Sequence, residues 1–232
     1  FTNTLLDVLK KEKPSHMAVV FDTDAPTERH NDFTAYKAHR QAMPEDLSMA
    51  LPYVVKLIEG FNIPVITSDG YEADDIIGTL AKKAEKEGFT VFCMTPDKDF
   101  AQLVSENIFI YKPARMGNGM EILGVPEVLA KWEVDRVEQV IDILGLWGDA
   151  VDNIPGIPGI GEKTAKSLIK QYGTVENIIA NSHELKGKLK ENVEQYAEQG
   201  LVSKKLATIL LNAPVDLDVE SLQISSPNRE LL

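Results

Sequence analysis

Asn153-Ile154-Pro155-Gly156-Ile157-Pro158-Gly159-Ile160-Gly161-Glu162-Lys163-Thr164-Ala165 marks where one kind of sequence pattern has given way to another. Pro and Gly alternate through a turn, and a helix begins near Glu162. Upstream, Met17-Ala18-Val19-Val20-Phe21-Asp22 is a short apolar run closed by an acid, the pattern of a buried parallel strand. Ile63 to Ile66, Thr90 to Thr95 and Asn107 to Tyr111 are three further strand candidates. Between them, Asp74 to Gly88 reads as helix, with Ile76, Ile77, Leu80, Ala81 and Ala84 on one side and Gly88 as a stop. Strands alternating with helices predict an α/β layer with a mainly parallel central sheet flanked by helices. From about Pro126 the strand signal ends. Short helices are expected over 126–132, 137–146, 162–172 and 175–180, then a long polar helix near 185–211. The expected layout is an α/β core over residues 1–125 and a helical subdomain over 126–232, with the hairpin at 153–165.

With 232 residues, 44% of them hydrophobic, the chain can bury a core without disulfides. The lone cysteine, Cys93, lies in the apolar run Thr90 to Met94 and reads as a buried, inert thiol. A single cysteine argues against a disulfide-built secreted protein. No apolar stretch approaches membrane-spanning length and no signal peptide opens the chain, so a soluble cytoplasmic protein is expected. Phe1 to Leu6 reads as helix in progress, which implies a natural chain extending upstream. A net charge of −12 points away from a simple nucleic-acid binder. The acidity is either solvated surface or, in part, a site for divalent cations. Positions separate the two.

Acids recur in four short segments. Asp22 closes its strand; Glu72, Asp74 and Asp75 stand where the chain enters a helix; Asp97 and Asp99 leave a strand; Asp149 and Asp152 flank a helix end. Ligand sites of open parallel sheets gather beyond the carboxyl ends of the strands, where Asp22 and the Asp97/Asp99 pair fall. Spacings of three put Glu72 with Asp75, and Asp149 with Asp152, on one helical face. Converging carboxylates repel unless cations sit among them, and hard ions such as Mg²⁺ or Mn²⁺ take oxygen ligands. None of the four histidines has metal-ligand spacing to another, which argues against zinc. Each segment also has a structural reading: Asp74 and Asp75 favouring a helix dipole, Asp97 an N-cap, Asp152-Asn153 a turn. Together they favour a two-metal site, whose ions neutralise a phosphate, activate water and stabilise a leaving oxygen.

The hairpin offers N–H groups of Gly156, Gly159 and Gly161, with Lys163, Thr164 and Lys166 beside them, to a DNA backbone. A tight structural turn with surface lysines is the alternative. A nucleotide-binding loop does not match, because no Gly-Lys-Ser/Thr ending follows a strand.

Asp22 ending Val-Val-Phe-Asp, the run Tyr36-Lys37-Ala38-His39-Arg40, then Tyr71 to Asp75, Thr95 to Asp99 and Gly148 to Ala165 occur in the order seen in one family. The chain resembles, over nearly its whole length, the 5′-nuclease domain of bacterial DNA polymerase I; phage 5′-nucleases and flap endonucleases are more distant relatives. The resemblance implies Mg²⁺-dependent hydrolysis of phosphodiesters at 5′ ends or flaps, in primer removal and repair. It implies a first metal at Asp22, Asp74 and Asp75 with Glu72 nearby, and a second at Asp97, Asp99, Asp149 and Asp152. It also implies a helix–three-turn–helix element at 156–165 with a K⁺ ion on its carbonyls, a flexible gateway over about 24–46, and polymerase domains in the same parent chain. Lys37 and Arg40, with Tyr36 nearby, then become candidates for the scissile phosphate and a stacked base, and Arg29 a weaker DNA contact.

Residues 1–16 hold no counterpart of the family's opening strand and its aspartate, since Asp7 lies in a helical, Lys-flanked stretch. The implied sheet lacks its first strand and exposes an edge. Trp147 stands where a smaller residue is expected. Two rival functions remain, a non-catalytic binder of DNA junctions and a metal-dependent phosphatase of small molecules. The expected state is a monomer.

Overall fold

The computed structural model describes residues 1–113 and 119–232. In chain order the elements are α1 (Thr2–Lys11), β1 (Val19–Val20), α2 (Glu28–Asp32), α3 (Glu45–Gly60), β2 (Val65–Ile66), α4 (Ala73–Lys86), β3 (Val91–Met94), β4 (Ile108–Pro113) and β5 (Met120–Leu123). The helical half follows as α5 (Val125–Trp132), α6 (Gln139–Trp147), α7 (Glu162–Tyr172), α8 (Val175–Ala180), α9 (Gly187–Gln195), α10 (Ala197–Ala207) and α11 (Val219–Leu222).

The parallel layer is present in two pieces. β1 pairs with β2 through Val19–Val65 and Val20–Ile66, and β3 pairs with β4 from Val91–Ile108 to Met94–Tyr111. β5, unassigned from the sequence, adds antiparallel to β4. The expected strand over 17–22 shortens to two residues because its start is taken elsewhere: Met17 donates its N–H to Leu222 O, and His16 bridges Gln223. α3 was also unassigned. It carries Pro52, whose missing N–H leaves Ser48 O without a helical donor, tolerable because Ser48 faces solvent.

α6 is the axis of the helical half. Val140, Ile143, Leu144 and Leu146 are buried, and α10 crosses so closely that a Cβ on Gly145 would lie 2.9 Å from the Lys204 Cα. The single long helix expected over 185–211 is two, broken at Tyr196, where φ −113 and ψ 24 leave the helical region. It ends at Ala207 because Leu206 O and Thr208 O both accept from the Arg29 guanidinium. Among the described residues, no helix is long and apolar enough to cross a membrane.

Candidate active site

The acids meet at the mouth between the strand ends and the start of α6's loop. Asp22 follows β1 and accepts the Ala73 N–H at 2.6 Å, tying the end of that strand to the first turn of α4. Asp74, in that turn, has its pKa pushed up to about 7 by burial first, then by Asp97, Glu72 and Asp22. Asp97 caps a 3-10 turn over Lys98–Leu103, accepting from Asp99 N at 2.9 Å, so its structural reading and its place in the acid cluster both hold. Asp99 is also pushed up to about 7, by burial and then by Asp97, Asp149 and Asp152, with Lys98 opposing. Its Oδ1 is buried without a hydrogen-bond partner; the nearest cation, Lys98 Nζ, is 3.7 Å away.

The other acids carry cations. Glu72 is buried and accepts from Lys37 Nζ at 2.6 Å and from the Tyr36 hydroxyl at 3.1 Å. Arg40 reaches Asp152 Oδ1 at 2.6 Å, and Lys98 binds Asp149 Oδ2. Burial opposes the charge of Lys98, but Asp149, Asp99 and Asp97 raise its pKa. Asp149 is further fixed by a backbone pair with Ile154 and by the Val151 N–H.

Three expectations change here. Asp75 was expected on the first metal, yet it is 0% exposed and its oxygens are consumed by two Arg29 nitrogens at 2.7 Å each and by the N–H groups of Leu210 and Glu72. Arg29, expected to face DNA, is accordingly buried; burial disfavours its charge, but Asp75 and Glu72 hold its pKa above the usual value. Tyr36 was expected to offer a ring for stacking. It is 3% exposed, and burial together with Glu72 raises its hydroxyl above the ordinary range.

The gateway segment divides. Its inner part is anchored rather than flexible: Lys37, at φ 56, donates its N–H to Asp152 O, and Asn153 Nδ2 donates to Ala35 O. Residues 41–50 are all exposed, Met43, Leu47 and Met49 among them.

The hairpin also divides. Gly156 is buried at φ 61, where a Cβ would stand 2.6 Å from Gly148 N, so it serves backbone packing, not DNA contact. Its carbonyl accepts from Gln199 and that of Pro158 from Asn192, so two of the oxygens expected to face a K⁺ ion are already engaged. Gly159, Gly161 and Lys163 are exposed at the start of α7, with Thr164 half-buried behind them, and a Cβ on Gly161 would meet nothing within 4 Å. Lys166 folds back to Lys131 O at 2.8 Å and to Glu162 at 2.9 Å, which withdraws it from the expected phosphate role.

The donor set, carboxylate oxygens with an unpartnered one on Asp99, suits hard cations. Among the described residues no three His, Cys, Asp or Glu side chains already form a metal-holding group. Glu72, Asp149 and Asp152 are drawn onto Lys37, Lys98 and Arg40, so a cation competes with these side chains for the same oxygens. Lys98 went unassigned from the sequence. Its position between Asp97 and Asp99 was the signal.

An α/β layer with acids beyond its strand ends, joined to a Gly-Pro hairpin on a helical unit, is the architecture of the flap-nuclease class. The chain belongs to the 5′-3′ exonuclease family: residues 1–133 match the family's N-terminal resolvase-like domain, and residues 136–230 match its C-terminal SAM fold. It is 44% identical over 99% of its length to DNA polymerase I of Bacillus caldotenax, and spans 26% of that relative. It is 36% identical over 98% of its length to a 5′-3′ exonuclease of Aquifex aeolicus, of which it covers 76%. The fold is similar, with a TM-score of 0.74 and 22% identity over 88% of this chain and 78% of the other, to the flap endonuclease of bacteriophage T5 solved as a pseudo-enzyme–product complex with DNA and metal ions.

Proposed function

We propose that this chain hydrolyses phosphodiester bonds near single-strand/double-strand junctions of DNA, at 5′ ends or flaps, in primer removal and repair. The observation that carries the reading is the pair Asp74, half-buried, and Asp99, buried, both pushed up to about 7 by desolvation and surrounding acids, Asp99 with an oxygen that has no hydrogen-bond partner. Such a site is charge-starved without cations. We assign one ion to Asp22, Asp74 and Glu72 and a second to Asp97, Asp99, Asp149 and Asp152, with Asp75 removed from the ligand set. Two Mg²⁺ ions, or Mn²⁺ in their place, would supply charge neutralisation and an activated water there.

The chain's own residues do the rest. Lys37 and Arg40 stand at the mouth paired with Glu72 and Asp152, placed to leave those acids for a phosphate oxygen and stabilise charge developing on it. Tyr36 holds Glu72 through its hydroxyl. Gly159, Gly161 and Lys163 at the α7 start grip the duplex backbone without reading bases. The core over 1–125 thus cuts, and the helical part over 126–232 holds. The setting is the bacterial cytoplasm and its nucleoid, as a monomeric unit of a chain that also carries polymerase domains.

A labelled 5′-flap duplex tests this with Mg²⁺ and with EDTA. Metal-dependent release of the 5′ segment is expected, and Asp97→Asn should abolish cutting while flap binding stays largely intact. Binding without cutting by the parent protein favours the junction binder; cleavage of small phosphate esters alone favours the phosphatase.

A further inference from the structure

Trp147 closes α6 immediately before Gly148 and Asp149, and no step of the proposed chemistry uses it. It is half-buried, whereas the only other tryptophan, Trp132, is 3% exposed. The indole borders an open cleft of about 340 Å³ shared with Lys98, Asp149, Ala150, Ile154 and Pro155. That volume falls among small-molecule sites, which run from roughly 300 to 1,000 Å³. Lys98 Nζ stands 5.7 Å from the ring centroid while it binds Asp149. The cleft therefore offers an aromatic face, three apolar side chains, and a cation with its acid partner. It lies between the acids and the hairpin.

An aromatic face beside a cation suits a nucleobase together with its own phosphate, because every base has a π-face and every nucleotide an anion. Ile154 and Pro155 give the cleft an apolar side that suits a base rather than a free phosphate, and Lys98, held by Asp149, lines the same cleft. We infer that Trp147 is a stacking platform for an unpaired base of the DNA substrate, with Lys98 meeting the phosphate of the same nucleotide. The inference rests on the nuclease reading for its substrate class. It adds a contact that recognises the single-stranded side of the junction, and Trp147 acts in binding, not in bond breaking.

The test uses this chain with flapped and blunt duplexes, Ca²⁺ replacing Mg²⁺ as a hard ion that takes oxygen ligands. Acrylamide quenching reads Trp147, since Trp132 is buried. Saturating flapped DNA should shield the quenchable indole. Trp147→Met, which keeps apolar volume without a ring, should weaken flap binding roughly tenfold, while Trp147→Phe stays within about twofold. Both variants should melt near the parent, and their affinities for blunt duplex should match the parent's. Full acrylamide access in saturating flapped DNA overturns the proposal, as does a Met variant that binds the flap as tightly as the parent. So does an equal loss on blunt duplex, which would mean the ring touches paired DNA. Failure of the parent to cut with Mg²⁺ while shielding persists would sink the nuclease reading and leave the stacking platform standing.

Discussion

Asp74 and Asp75 are neighbours in the chain and opposites in the fold. Asp75 lies in an anchor: Arg29, the Leu210 N–H and the Glu72 N–H use its lone pairs, and the anchor ties the start of the gateway segment and the chain after α10 to α4. Asp74 lies in the acid cluster itself, where Asp97, Glu72 and Asp22 raise its pKa and Lys37 opposes them. A buried acid with every oxygen partnered holds a structure together. An acid half-buried among other acids leaves a place for something positive. The contrast assigns architecture to one residue and chemistry to the other.

The largest effect should come from breaking the anchor. Arg29→Met leaves Asp75 buried and unpaired, a loss of about 3–5 kcal/mol, or roughly 10 °C in melting temperature for a chain of this size. Arg29→Met with Asp75→Leu should recover most of that loss. A double variant no more stable than the single one would show that the anchor matters through Leu206 O and Thr208 O instead.

The acid cluster predicts a stability that depends on pH. Asp74 and Asp99 hold protons in the folded state that the unfolded chain releases near 3.8, so their contribution is full below that value and is lost as pH rises through about 7. In EDTA, stability should fall between pH 5 and pH 8 by on the order of 2–3 kcal/mol, allowing for coupling between the acids. Added Mg²⁺ should restore more stability at pH 8 than at pH 5. Flat melting temperatures across this window, or equal Mg²⁺ gains at both ends, would erase the distinction between acid cluster and anchor.

A smaller effect sharpens the same point. After burial, Asp97 is the first charge raising both Asp74 and Asp99. In EDTA at pH 8, Asp97→Asn should therefore raise stability by up to about 1 kcal/mol, at the level of a single relieved charge contact. Calorimetry checks it; a clear loss of stability would mean that the cap on Asp99 N outweighs the repulsion.

The alternation of apolar strands with amphipathic helices, the acids beyond the strand ends and the Gly-Pro hairpin were legible along the chain, because periodicity and turn chemistry are local. β5 and α3 were not: β5 is held by its pairing to β4, and the Pro of α3 masks a helix whose start faces water. The roles of Asp75, Arg29, Tyr36, Gly156 and Lys166 were equally out of reach. A helix turns about 100° per residue, so consecutive acids look in different directions. Which one meets Arg29 and which one meets other acids depends on what packs on each side. The sequence determined that acids and a hairpin would be brought to one edge of an α/β layer. The tertiary structure alone decided which of them are buried with partners and which are left among other acids, since that depends on segments more than a hundred residues apart, such as Asp75 and Leu210.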